Sequence, residues 1–115
     1  MHNLMEINKL PFKIGMHYEN WELDLIVEEL CSQYELYRYV KGDIVTFKNY
    51  EVTDIFLYFS FDVLFQVELF MEQGDLPFVE FHEVENGLSI GAVKLPESGL
   101  IQLTYNQDKI WRDML

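Results

Sequence analysis

With 115 residues, 50% apolar and 16% aromatic, the sequence predicts one domain over 1–115 whose core closes without disulfides or metal. Twenty acids against eight bases give a net charge of −12, a field that repels phosphate backbones and anionic lipid, so a basic protein is the expected partner rather than nucleic acid or membrane. A lone Cys31, no signal-like N-terminus and no uncharged apolar run near the roughly 18–20 residues of a membrane span give a cytoplasmic expectation.

Residues 1–9 read as an N-terminal arm. Leu10, Phe12, Ile14, Met16 and Tyr18 then alternate with more polar residues, which predicts a strand with Pro11 near its start. After Glu19-Asn20 the apolar set moves to odd positions at Trp21, Leu23, Leu25 and Val27. A two-residue hairpin turn produces that parity change, so a second strand is expected to about Val27, with a short helical turn near Glu28–Ser32. The competing reading is a helix from Asn20, with Leu23, Ile26, Val27 and Leu30 at helical spacing. Tyr34–Val40 and Ile44–Tyr50 read as antiparallel strands joined at Lys41-Gly42-Asp43.

Thr53–Glu72 is the dominant stretch, because every odd position from Ile55 to Met71 is apolar. Period two means extended chain with one face in a core. At about 3.3 Å per residue this stretch is too long for one flat strand, so two strands are expected. A two-residue turn would flip the parity, which points to a three-residue loop at Ser60-Phe61-Asp62, with a single sharply bent strand as the competitor.

Gln73-Gly74-Asp75 ends this block. Asn86-Gly87 then predicts a type I′ hairpin joining Val79–Glu85 to Leu88–Leu95, and Pro96-Glu97-Ser98-Gly99 a turn into Leu100–Tyr105. Asn106 is placed as the cap of a short C-terminal helix over 106–115. The resulting fold class is mainly β, an antiparallel meander of eight or nine strands forming a small barrel or sandwich.

No motif with mechanistic content occurs: no glycine-rich phosphate loop, no C-x-x-C, no H-E-x-x-H, no G-x-S-x-G. No cofactor and no catalytic residue is therefore assigned, and a non-enzymatic role is expected. Glu80 and His82, two apart on an expected strand, would share a face; with His17 they are the weak candidates for a metal site or a small enzyme. Glu22 with Asp24 is a possible carboxylate couple, and Cys31 has no nearby His or Asn to activate it. Two stretches contain no Lys or Arg, Ile14 to Tyr37 and Asn49 to Val93. Acids from these stretches, Glu19, Glu22, Asp24, Glu80, Glu83 and Glu85, are the expected partner-binding surface, with surface Tyr as anchors. The function expected is a small acidic protein-binding domain of the immunity or inhibitor type that neutralises a basic partner such as a toxin. The alternative is a β-barrel holding a small apolar ligand, and self-association is also open.

Overall fold

The structure is a computed structural model that describes residues 6–107. Three two-residue turns organise it: Lys48-Asn49, Phe61-Asp62 and Asn86-Gly87, each with both residues at positive φ, as a type I′ turn requires. They join β3 (Thr46–Phe47) to β4 (Tyr50–Ser60), β4 to β5 (Val63–Glu72), and β6 (Phe81–Glu85) to β7 (Leu88–Lys94). With β1 (Leu25–Leu30), β2 (Glu35–Tyr39) and β8 (Ile101–Gln107), the eight strands form one antiparallel sheet. Its order is β1-β2-β4-β5-β8-β7-β6, with β3 also pairing with β4. The mainly β antiparallel fold thus stands, as a single sheet with β1 and β6 at its ends. Among the described residues no helix is long and apolar enough to cross a membrane.

The central hairpin corrects the parity argument. Ser60 pairs with Val63 around a two-residue turn, not a three-residue loop or a bent strand. The odd face survives because the ladder slips next: Phe59 pairs with Leu64, then Tyr58 with Gln66. Phe65 is the extra residue of a β-bulge, which offsets the flip made by the turn. Leu64, Phe65, Gln66 and Val67 are consequently all buried. A second slip at Thr53 brings Val52 opposite Met71, so it too packs on the core.

The N-terminal third departs most from expectation. Residues 10–18 do not form a strand; only His17 makes an isolated bridge, to Val63. The expected alternation still governs burial, since Leu10 and Phe12 lie in the core and Ile14 and Tyr18 pack against it. The segment crosses the inner face of the sheet as a lid. Three backbone bonds pin it to the central hairpin: Gly15 N–H to Leu64 O, Leu64 N–H to Met16 O and Tyr18 N–H to Asp62 O, each 2.8 Å.

The Glu19-Asn20 hairpin is absent as well. The Trp21 N–H bonds back to Tyr18 O, making a 3₁₀ turn at Tyr18–Asn20, and a second follows at Glu22–Asp24. Trp21 packs on Phe12 and Tyr39 instead of facing a strand partner. Strand β1 begins at Leu25 and ends at Leu30, taking in the first three of the residues expected to turn helical. Ile44–Tyr50 keeps only Thr46–Phe47 as strand before the Lys48-Asn49 turn. Asn106 is no helix cap: it lies in β8, opposite Ser89 and Gln66. The remainder of the expected C-terminal helix, and residues 1–5 of the arm, lie outside the described residues.

The core fills the inner face. Ile55, Leu57 and Phe59 of β4 lie beside Val67, Leu69 and Met71 of β5 and Ile101, Leu103 and Tyr105 of β8. Tyr105 reaches through this layer to donate 2.7 Å to Phe12 O.

Candidate functional site

The six acids expected to form one surface fall into two groups at opposite ends of the sheet. Glu19, Glu22 and Asp24 occupy the 3₁₀ turns that lead into β1. Glu80 precedes β6, while Glu83 and Glu85 lie within it, and five strands separate β6 from β1. Glu80 lies just ahead of β6, on backbone outside the strand, and both it and His82 are exposed. His82 instead hydrogen-bonds Ser89 at 2.8 Å. His17 bridges to Val63 on a different strand, and no group of three or more His, Cys, Asp or Glu is placed to hold a metal among the described residues. Glu22 and Asp24 are two apart in a 3₁₀ turn, where three residues complete a turn, so their side chains diverge rather than form a couple.

The β1 end combines acidity with exposed apolar surface. Among the described residues β1 is an edge strand paired with β2 alone, and Tyr18, Trp21 and Leu25 pack against the core at this end. Val27 and Leu30 are therefore left in solvent, 51% and 68% exposed, and Leu23 before them is 94% exposed. The tip of the central hairpin adds Phe61, 96% exposed. Two bonds hold the tip beside this end: Ser60 Oγ to Gln33 O at 3.2 Å, and Tyr18 N–H to Asp62 O. Glu19, Glu22, Glu28, Glu29 and Asp62 are all exposed around these apolar groups. Of the cations nearby, Arg38 is paired with Glu28 at 3.1 Å, and Lys41, next to the Val40 whose N–H bonds Asp24 O, lies 4.0 Å from Asp43.

The thiol at this end is quiet. Cys31 Sγ donates to Glu29 Oε1 at 2.6 Å, and Tyr34 OH donates to the same oxygen at 3.3 Å. The bond to the Glu29 carboxylate holds the Cys31 pKa above its usual value, which disfavours the nucleophilic thiolate.

The sequence concealed the apolar part of this site. Leu23 and Val27 follow a core-like period, but Leu23 falls in a 3₁₀ turn and Val27 on the edge strand β1, and both are exposed. Phe61 belongs to the odd apolar face, yet it occupies a turn position. Its place between Ser60 and Asp62, in the stretch expected to loop, was the available signal.

The outer face carries a separate polar network. Glu68, at its centre on β5, accepts from Tyr58 OH at 2.9 Å, Gln102 Nε2 at 3.2 Å and Gln66 Nε2 at 3.3 Å, and Asn106 Nδ2 donates to Gln66 Oε1. Burial raises the Glu68 pKa, and the three donors only partly oppose that. A carboxyl whose folded pKa lies above its unfolded one binds its proton more tightly in the native state. It therefore destabilises the fold progressively as pH rises through that window. Glu68→Gln removes the charge but sets an amide NH₂ among these donors, so the variant is expected to stand higher relative to wild type at pH 7 than at pH 4. Urea melts of both proteins at several pH values check this; a variant that gains on wild type as pH falls refutes it.

Comparison with protein-family models, with curated proteins and with solved structures finds no match to this chain.

Proposed function

We propose that this is a small cytoplasmic, non-enzymatic binding domain that docks a basic protein at the β1 end of its sheet. In its most concrete form it is an immunity- or inhibitor-type protein covering the cationic site of a toxin such as a nuclease. The observation that carries this reading is the coincidence of Leu23, Val27, Leu30 and Phe61 in solvent with a surround of exposed acids. Apolar anchors inside a charged rim make an interface: the charges steer a partner of opposite sign, and the anchors supply contact energy once water is expelled. A second copy of the chain suits this surface poorly, because it would bring a further net charge of −12 against it.

The test is affinity capture with three baits followed by titration of the retained protein. Wild type is expected to retain a basic protein that is released as salt is raised. Leu30→Asp and the triple change Glu19→Lys, Glu22→Lys, Glu29→Lys should each weaken its binding by about tenfold or more, on the order of 1.4 kcal/mol. The change Glu80→Lys at the far edge should leave it unaltered. A basic partner lost with Glu80→Lys but kept by the β1-end variants would move the interface to the β6 edge and sink the proposal.

A further inference from the structure

The outer face of the sheet is dimpled at Gly91, in the middle of β7. His82 of β6 and Thr104 of β8 stand directly on either side of it in the ladder. Ser89 and Val93 flank it along β7, and Gln102 and Asn106 stand diagonally on β8. These six residues and Gly91 line one groove of about 300 Å³. The fold makes no demand for glycine here. Gly91 does not adopt positive φ, and the ladders to β6 and β8 run through it without a bulge. An added Cβ would meet His82 Cδ2 and Phe81 O at 3.4 Å, the near edge of ordinary contact. A glycine inside a strand weakens it and packs nothing. Where no bulge or bend calls for one, it leaves room for a ligand to approach the backbone.

The groups around the dimple are oriented from β5. Glu68 accepts from the Gln102 and Gln66 amides at 3.2 and 3.3 Å, and Gln66 Oε1 accepts from Asn106 Nδ2 at 3.0 Å. A carboxylate only accepts, so Glu68 fixes which way each amide faces. The NH₂ groups of Gln102 and Asn106 turn toward β5, and their carbonyl oxygens turn away from it. Ser89 Oγ is held at 2.8 Å by His82 Nε2. One groove thus presents two oriented amide oxygens beside the hydroxyls of Ser89 and Thr104. A ligand that meets so many groups in so small a space needs a polar group on nearly every atom of its frame. Hydroxyls suit that need, because each both donates and accepts. Val93, 44% exposed, offers an apolar wall to the C–H side of such a ring. Size agrees: a 150 Å³ cavity holds one benzene, so twice that volume takes roughly twelve non-hydrogen atoms, the complement of a hexose.

We infer that the groove over Gly91 binds a single neutral hexose, through the amides of Gln102 and Asn106 and the hydroxyls of Ser89 and Thr104. The inference is independent of protein docking at the β1 end, which uses none of these residues.

Titration with glucose, galactose and mannose, followed by amide NMR, tests it, with benzyl alcohol as a six-membered ring bearing one hydroxyl. At least one of the sugars should shift the Gly91, Thr104 and Asn106 amides saturably, and bind about tenfold or more tighter than benzyl alcohol. Gly91→Val fills the dimple and should weaken that sugar about tenfold or more. Thr104→Val keeps the branched shape that suits a strand but loses the hydroxyl, and should weaken it about fivefold. This second variant decides the matter even if the larger side chain at position 91 prevents folding. Absence of a saturable shift with any of the sugars, or shifts confined to other strands, would overturn the inference. So would benzyl alcohol binding as tightly as the best sugar, or sugar binding indifferent to Thr104→Val.

Discussion

Phe12→Ala should cost this domain about 3–5 kcal/mol, the range for removing a fully buried Phe. Phe12 has no exposed surface, and its ring packs edge-on against Tyr39 at 4.8 Å and tilted against Trp21 at 5.3 Å. The lid that carries it belongs to no strand, so few backbone bonds hold that segment on the sheet. Side-chain packing must supply most of the attachment, and Phe12 is its largest fully buried contributor. Truncation also loosens the Phe12 carbonyl from Tyr105 OH, which would leave a buried polar group poorly matched and push the loss toward the upper end. Phe61→Ala is the control: at 96% exposure it should change stability by no more than about 0.5 kcal/mol. Urea denaturation of both variants measures the difference. Amide exchange at Gly15 and Tyr18 should accelerate in Phe12→Ala alone, because those N–H groups hold the lid to the central hairpin.

The lid shows where the sequence is informative and where it stops. Alternation correctly marked Leu10 and Phe12 as buried, because alternation reports which side chains are sheltered. It does not report what the backbone bonds to. A segment lying across a sheet shelters every second residue as a strand does, and the two cases differ only in long-range hydrogen bonds that one sequence does not reveal. Asn86-Gly87 was readable for the opposite reason: the two positive φ angles of its turn are a local demand, and Asn-Gly meets it cheaply. In Lys48-Asn49 and Phe61-Asp62 the second residue tolerates positive φ but Lys48 and Phe61 resist it, so their neighbours must impose the conformation there. The acids were visible as a composition, but their partition between β1 and β6 depends on strand order. Glu19, Glu22 and Asp24 came out beside exposed Leu23, whereas Glu80, Glu83 and Glu85 came out five strands away, beside exposed Val79 and Val84.

The Phe65 bulge permits the sharpest test of how this chain sets its faces. Without a slip, a two-residue turn at Phe61-Asp62 would place Leu57 opposite Gln66 and Ile55 opposite Glu68, forcing an amide and a carboxylate into the core. With Phe65 set aside as the extra residue, Leu57 meets Val67 and Ile55 meets Leu69. Deleting Phe65 should therefore preserve the fold, since closing the gap leaves every downstream residue on its present face. The cost is the burial of one aromatic ring, now 1% exposed and packed on Tyr58 and Tyr34, again about 3–5 kcal/mol. Deleting Leu69, four residues on, has no bulge to absorb it. It would turn Phe70 toward Ile55 and Met71 away from the core, and would break register with β8 at Met71 and Ile101. Circular dichroism with urea titration separates the two. The Phe65 deletion should show a cooperative transition at lower urea, matching Phe65→Ala to within about 1–2 kcal/mol, while the Leu69 deletion should show none. If the Phe65 deletion proves as disordered as the Leu69 deletion, the bulge is not what reconciles the turn with the odd apolar face. Some other feature of the β4–β5 ladder would then have to set which side chains reach the core.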